Sequence, residues 1–387
     1  MQTPETNKIH HGHCLDHLRS WPDNFLDCVV TSPPYYGLRS YGTEPQVWDG
    51  DPKCEHSWGE ALPYAKQDNR TLEQKIAQGA TVGSNQSFNN ENTTATSGSF
   101  CGKCPAWHGE LGLEPTFQLY ISHLIDIFRE VKRVLKPSGT VWVNLGDSYG
   151  HGTGSDRQQS SNPGVGANNE KAQNSVPRNG GLAKSLMNIP ARFAIAMTDE
   201  LQFIQRNEII WHKPACMPSS AKDRFTIDYE PIFFFTKNRK YWFEQQRIPA
   251  IGASGWAKQR GKGEHHERQK GDSGFVNDAA TGTTIDTWTD TGDRNMRTVW
   301  KVNFEPQSEE HYASYPTRLI EIPIKAGCPE NGIVYDPFGG TATTALVAHR
   351  LGRQWICSEL QPKYVEIANE RLEPHLAQPD LFAVDVK

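Results

Sequence analysis

The chain has 387 residues, of which 36% are hydrophobic, a mean hydropathy of -0.65 and a formal net charge of -5. That length suits one large domain with insertions or two domains, and with no apolar run of about 18 residues it excludes a membrane-spanning helix. With no export-type apolar segment at the start and eight cysteines at irregular positions, it reads as a cytoplasmic protein whose thiols are reduced or bind metal.

The first predicted element in the body of the chain is a short buried strand in "DCVVTS". It ends at Pro33 and Pro34, because successive prolines remove the backbone donors a strand needs. Residues 66–100 and 151–181 are rich in Gly, Ser, Asn, Thr and Gln without apolar periodicity, and read as long mobile loops. Between them, residues 116–136 place Leu119, Leu124, Ile127, Phe128, Val131 and Leu135 at helical intervals, with Pro137-Ser-Gly as the expected stop. "GTVWVNLGD" follows as a strand, and strand, long crossover, strand is the pattern of a parallel sheet.

After the second loop "LAKSLMNIPARFAIAMT" reads as a helix, "FIQRNEIIWHKP" as a strand, and "YEPIFFFTK" with "KYWFE" as further strand. Residues 250–295 lose all periodicity, as a variable recognition segment does. The C-terminal section is the most regular: a helix in "YPTRLIEIPIKAG", then strand, Gly-rich turn and helix in "GIVYDPFGGTATTALVAHRLG", then strand, acidic end and helix in "RQWICSELQPKYVEIANERL". Two successive strand-turn-helix units predict an α/β fold, a Rossmann-like doubly wound and mostly parallel sheet.

Charge is unevenly distributed. Between Leu201 and Lys301 there are 16 Lys/Arg against 12 Asp/Glu, so this block carries +4 and the remainder -9. A basic block of this kind fits either a face toward an anionic polymer or a solvated mixed-charge surface.

In Asp336-Pro-Phe-Gly-Gly-Thr-Ala-Thr-Thr344 the glycines follow a strand and open a helix, so the backbone can bend sharply and approach a ligand beside free helix N–H groups. The lysine of a nucleoside-triphosphate loop is missing. Glu359 ends the next strand, where a carboxylate can accept from two ribose hydroxyls. This pairing suits a nucleoside without pyrophosphate, such as S-adenosylmethionine, with Asp336 near its amino group; an ordinary βα turn with a solvated Glu is the plainer reading.

In "VVTSPPYY" the two prolines make a rigid acceptor platform. Ser32 Oγ and the Pro33 carbonyl can both accept from one –NH₂ group, and Tyr35 can stack on the ring that carries it. An exocyclic base amine is a poor nucleophile because its lone pair is delocalised, and two fixed acceptors on its hydrogens would favour a tetrahedral nitrogen. Direct attack on a methyl sulfonium needs no cysteine intermediate. A proline-rich strand terminator with surface tyrosines is the bland alternative.

Cys54-Glu-His56 and Cys101-Gly-Lys-Cys104 flank the first polar loop, with Trp58 and Trp107 at similar offsets. Four such ligands suffice for a closed tetrahedral zinc site; His108 competes as a ligand, and four unrelated side chains are the alternative.

Together these residues resemble the DNA amino-methyltransferases, specifically the β-ordered group in which the catalytic motif precedes the cofactor motif. "TSPPYYGLRSYG" is similar to that family's catalytic motif, "YDPFGGTATT" to its cofactor motif, and Glu359 falls on the acidic position that follows. "NEIIWHKPACMPSSAKDRFTIDYEPIFFFTK" and "RTVWKVNFEPQSEEHYASYPTRLIEIPIKAG" extend the likeness over most of the chain, outside the polar loops and residues 250–295. One departure is Gly12-His13-Cys14, where many relatives carry Gly-Asp-Cys; a His can still hydrogen-bond an adenine edge.

The resemblance implies the class I methyltransferase fold with S-adenosylmethionine as cofactor, held by His13, Asp336, Phe338, Gly339, Gly340, Thr341, Thr343 and Glu359. It implies Ser32, Pro33, Pro34 and Tyr35 as the catalytic residues, with Tyr35 or Tyr36 holding a base flipped out of double-stranded DNA. Lys213, Lys222 and Arg224 would contact phosphates. Ser-Pro-Pro-Tyr in this family favours cytosine N4, with adenine N6 the alternative and an inactive DNA-binding protein a more remote one. Protein-glutamine methyltransferases, with Asn-Pro-Pro-Tyr, have the opposite motif order. A cognate restriction endonuclease is a further implied partner, and the enzyme is a monomer or homodimer. The expected division places a catalytic half in 1–65 and 105–150, a Cys/His insertion in 54–108, more of the catalytic domain in 182–248, a target-recognition region in 249–298 and a cofactor half in 299–387.

Overall fold

The protein is described by a computed structural model that covers residues 3–38, 40–60, 98–150, 182, 184–216, 218–219, 221–249, 293–303 and 315–377. In chain order its elements are β1 (Lys8–His11), α1 (Cys14–Ser20), β2 (Leu26–Thr31), β3 (Gln46–Trp48), β4 (Ser99–Phe100), β5 (Trp107–Gly109), α2 (Phe117–Val134), β6 (Leu135–Asn144), α3 (Ile189–Asp199), β7 (Ile204–His212), β8 (Tyr229–Thr236), β9 (Arg247–Pro249), β10 (Asp293–Asn295), β11 (Val299–Lys301), α4 (Thr317–Gly327), β12 (Ile333–Asp336), α5 (Thr343–Arg350), β13 (Gln354–Glu359) and α6 (Pro362–Leu376). None of the described helices is long and apolar enough to cross a membrane.

The chain divides into two units, one of Met1–Glu244 with Thr298–Lys387 and one of Gln245–Arg297. In the second, β9 pairs antiparallel with β10. Most of the expected recognition region, and the expected loops at 66–97 and 151–181, lie outside the described residues. The end of the first expected loop is not loop, because Ser99 and Phe100 form β4.

The first unit is built on an eight-stranded sheet in the order β1-β13-β12-β2-β6-β8-β7-β11. From β1 to β6 the pairings are parallel, β8 runs antiparallel to both neighbours, and β11 pairs parallel with β7. All six residues of β2 are buried, as expected of a parallel strand covered on both faces. Helix α2 starts where Thr116 accepts the Leu119 N–H, and it buries Tyr120, Leu124, Phe128 and Val131 in the core.

Three local expectations need correction. Helix α2 stops at Val134, and the Lys-Pro-Ser-Gly stretch lies inside β6. The register with β2 jumps there, from Leu26↔Leu135 to Cys28↔Thr140, and an irregularity of this kind tolerates a proline that regular pairing would not. The helix expected from residue 182 begins only at Ile189, because Asn188 takes a left-handed conformation (φ 56°) with Pro190 in the first turn. "KYWFE" is irregular chain; Tyr241 and Phe243 pack on Phe234, which stacks on Trp142 at 3.9 Å.

From β2 the chain crosses over to β6 on one side of the sheet, and from β12 to β13 on the other. The strand order therefore reverses between β2 and β12, and such switch points open a crevice at the carboxyl ends of the strands. A separate three-stranded sheet, β3-β5-β4, is antiparallel throughout.

Candidate active site

A cleft of about 590 Å³ lies at this reversal. The parallel strands deliver their last residues to it: Ser32 follows β2, Asn144 ends β6 and Glu359 ends β13. Because β8 runs the other way, it delivers its beginning, so Glu230 joins the same cleft.

The cofactor-type wall comes from the turn after β12. Gly340 has a positive φ of 51° with open space where a Cβ would stand, and its N–H donates to Glu359 Oε2 at 2.7 Å. Gly339 is closed in, since a Cβ there would lie 2.8 Å from Cys357 Cβ. Arg371 of α6 holds the turn from behind by donating to Thr341 Oγ1 and Thr343 Oγ1 at 3.2 and 2.9 Å. Glu359 Oε1 accepts from the Gln361 N–H at 2.8 Å, so each carboxylate oxygen keeps acceptor capacity toward the cleft. Burial pushes its pKa up, against the two backbone donors.

His13 reaches this wall because β1 pairs in parallel with β13: His11 lies opposite Glu359, and the Gly12 N–H donates to the Glu359 carbonyl at 2.9 Å. Its ring meets Trp48 edge-on at 4.9 Å, and burial lowers its pKa to about 4, so the imidazole is neutral at pH 7. His13, Phe338, Gly339, Gly340, Thr341, Thr343 and Glu359 all line the cleft.

Asp336 does not. Its side chain is 1% exposed, and four protein donors converge on it: Thr31 Oγ1 (2.6 Å) and the Phe338 N–H (3.0 Å) on Oδ1, Tyr315 OH (2.9 Å) and Thr344 Oγ1 (2.6 Å) on Oδ2. The expected contact with a ligand amino group is therefore corrected: Asp336 lies beneath the wall and joins β2, β12, α5 and Tyr315. Burial raises its pKa and these donors oppose the rise.

The opposite wall carries Ser32, Pro33, Pro34 and Tyr35. The Pro34 carbonyl is already taken by Tyr120 OH at 2.7 Å, whereas no donor among the described residues reaches the Pro33 carbonyl. Ser32 Oγ donates to Tyr35 OH at 3.4 Å, and Tyr35 OH donates to Glu230 Oε2 at 2.8 Å, with Asn144 Oδ1 as second acceptor at 3.0 Å. Asn144 is oriented by its own Nδ2, which donates to the Pro231 carbonyl. Burial, then the Glu230 charge, raises the Tyr35 pKa, so the phenol keeps its proton. Tyr36 is 2% exposed and packs against Tyr120 in the core, which removes it as a base-holding residue.

Of the expected phosphate contacts, Lys222 and Arg224 are exposed, with the Arg224 guanidinium 3.5 Å over the Tyr149 ring. Lys213 is a correction: it points into the cleft, pairs with Glu230 Oε1 and lies 4.3 Å over the Trp211 ring. Cys54, His56, Cys101 and Cys104 do come together, with their ligand atoms all within 4.8 Å of one another.

Sequence reasoning missed Asn144, Glu230 and Gly146. Only the reversed direction of β8 could have flagged Glu230. Gly146 lies so close to the Tyr35 ring that a Cβ would stand 2.3 Å from Cε2.

The family described as DNA methylase (N6_N4_Mtase) matches residues 26–370, which include Ser32–Tyr35, the glycine turn after β12 and Glu359. The chain belongs to this DNA methylase family. The methylase is 30% identical over 363 residues to the Type II methyltransferase M.Cfr9I of Citrobacter freundii, covering 94% of this chain and 86% of that one. It is 28% identical over 367 residues to the Type II methyltransferase M.SmaI of Serratia marcescens, covering 94% and 90%. Among solved structures, the PvuII DNA methyltransferase (cytosine-N4-specific) matches 95% of the methylase and 87% of its own chain, with a TM-score of 0.52 and 17% identity, which is a likeness of fold. The methylase is thus a DNA methyltransferase with a mostly parallel α/β fold.

Proposed function

We propose that the methylase transfers a methyl group from S-adenosylmethionine to N4 of a cytosine flipped out of a specific double-stranded DNA sequence. The observation that carries this reading is the donor direction in the catalytic wall. Ser32 Oγ gives its proton toward Tyr35, and Tyr35 toward Glu230, whose charge is balanced by Lys213. The lone pairs of Ser32 Oγ are left as acceptors beside the open Pro33 carbonyl. One –NH₂ group can donate to both, which localises the nitrogen lone pair, while the Tyr35 ring offers a stacking face.

When bound, S-adenosylmethionine supplies an electrophilic methyl group on a positively charged sulfur. Glu359 would accept from its ribose hydroxyls, neutral His13 would face its adenine, and Phe338 with the open backbone at Gly340 would form the floor. The glycine turn and the remaining acceptor capacity of Glu359 fit this nucleoside.

Exposed Lys222 and Arg224 contact phosphates, and residues 249–298 read the recognition sequence. The cytosine-N4 specificity of the PvuII neighbour supports the base assignment, and the likeness to Type II methyltransferases supports a cognate endonuclease and a cytoplasmic site of action. The decisive experiment incubates the protein with methyl-labelled S-adenosylmethionine and unmethylated genomic DNA, then hydrolyses the DNA to nucleosides. Label in N4-methylcytosine is expected; label in N6-methyladenine instead would replace the base assignment, and no label in either would sink the reading.

A further inference from the structure

Beside the cleft stands the small β3-β5-β4 sheet, whose strands have three, three and two residues. So few pairings do not make an independently stable sheet. Yet this sheet carries Trp48, which lines the cleft against His13. Something beyond its ladder must hold it.

Part of the answer is His123 of α2, fully buried and stacked between Trp48 (4.5 Å) and Trp107 (5.5 Å), with its nitrogens 2.9 Å from Glu114 and Asp49 carboxylate oxygens. Among the described residues, the other end of the sheet has no such core. There the chain brings two knuckles face to face: the Gly102 N–H donates to the Ser57 carbonyl, the Gly59 N–H to the Phe100 carbonyl, and Trp58 bridges Cys101.

The side chains these knuckles present are Cys54, His56, Cys101 and Cys104, mutually within 4.8 Å. With Zn–S about 2.3 Å and Zn–N about 2.0 Å, the ligand atoms of a tetrahedral site sit roughly 3.5–3.8 Å apart. His56 Nδ1 and Cys104 Sγ are already 3.4 Å apart, so the set needs to close by only about 1 Å elsewhere. Cys101 Sγ accepts backbone N–H groups from Ser57 and Lys103 at 3.4 and 3.3 Å, an arrangement suited to a thiolate. All three cysteines are free, and the competing ligand His108 is not part of the set whose ligand atoms converge.

We propose that Cys54, His56, Cys101 and Cys104 bind one structural zinc ion that clamps the open end of the β3-β5-β4 sheet and so braces the Trp48 side of the cleft. Four protein ligands leave no position for water or substrate, so the ion is structural. The metal content does not depend on the reaction or base assigned above.

The test uses the full-length protein purified without chelator. Elemental analysis should give about one zinc per chain, falling at least tenfold in Cys101→Ser/Cys104→Ser, and cobalt substitution should give the visible spectrum of a tetrahedral thiolate complex. If that variant does not fold, the wild type still decides: a mercurial reagent should release zinc in step with modification of three thiols. Chelation should lower the unfolding midpoint, and added zinc should restore it. Folded wild-type protein that holds no zinc, or release of zinc without thiol modification, would overturn the site. A midpoint unmoved by chelation would overturn the clamp.

Discussion

Thr31 Oγ1 donates to Asp336 Oδ1 at 2.6 Å, joining the ends of two adjacent strands whose residues stand 305 positions apart. The pair is buried beneath the cleft wall, and its saturated hydrogen bonding predicts that Asp336 acts through the scaffold rather than through a ligand. Thr31→Val keeps the shape and removes one donor to a buried carboxylate, so stability should fall by about 1–3 kcal/mol in chemical denaturation. Glu359→Gln, which alters a cofactor-facing carboxylate, should show the larger loss of S-adenosylmethionine affinity by calorimetry. Equal effects of the two variants on binding would return Asp336 to the ligand-contacting role.

Tyr35 is held on one side by Glu230 and Asn144 and on the other by the bare Gly146. Gly146→Ala must displace a ring that these hydrogen bonds fix, so kcat/KM should drop at least about tenfold while cofactor affinity stays near wild type. Tyr35→Phe keeps the stacking face and should lose less than Tyr35→Ala, which forfeits about 1–3 kcal/mol of base stacking. Steady-state kinetics on an oligonucleotide duplex checks the order of the three.

The two kinds of lysine should separate by salt dependence. Lys222→Ala removes an exposed charge and should reduce the slope of log affinity against log salt by about 0.9. Lys213→Ala should leave that slope unchanged and depress kcat, because it strands Glu230 beside Tyr35. Fluorescence anisotropy over a salt series, with turnover on the same duplex, distinguishes them.

His13 gives a pH signature. Its pKa is about 4 in the fold against 6.5 ordinarily, with burial the main cause, so between those values the unfolded chain binds a proton that the folded chain does not. Stability attributable to His13 is therefore intact above about pH 6.5 and is lost as pH falls toward 4, by up to about 3 kcal/mol. His13→Asn should flatten the acid side of the stability curve by that amount. Urea denaturation from pH 7.5 to 4.5 measures it; parallel curves for the two proteins would show that His13 carries no such penalty.

Much of this molecule was legible in its residues. The run Asp-Cys-Val-Val-Thr before two prolines marks a strand ending at a platform, and Asp-Pro-Phe-Gly-Gly marks a turn, because proline and glycine act on the backbone that carries them. The Cys/His pairs were likewise readable, since each knuckle is local. What only the tertiary structure decided was direction and depth. Asp336 and Tyr36 carry motif identities yet point into the core, while Glu230 and Gly146 carry none and sit at the cleft. The reason is physical: backbone preferences are set within a few residues, whereas which side chain faces the crevice depends on the β2–β12 reversal and the antiparallel course of β8, pairings between residues far apart in the chain.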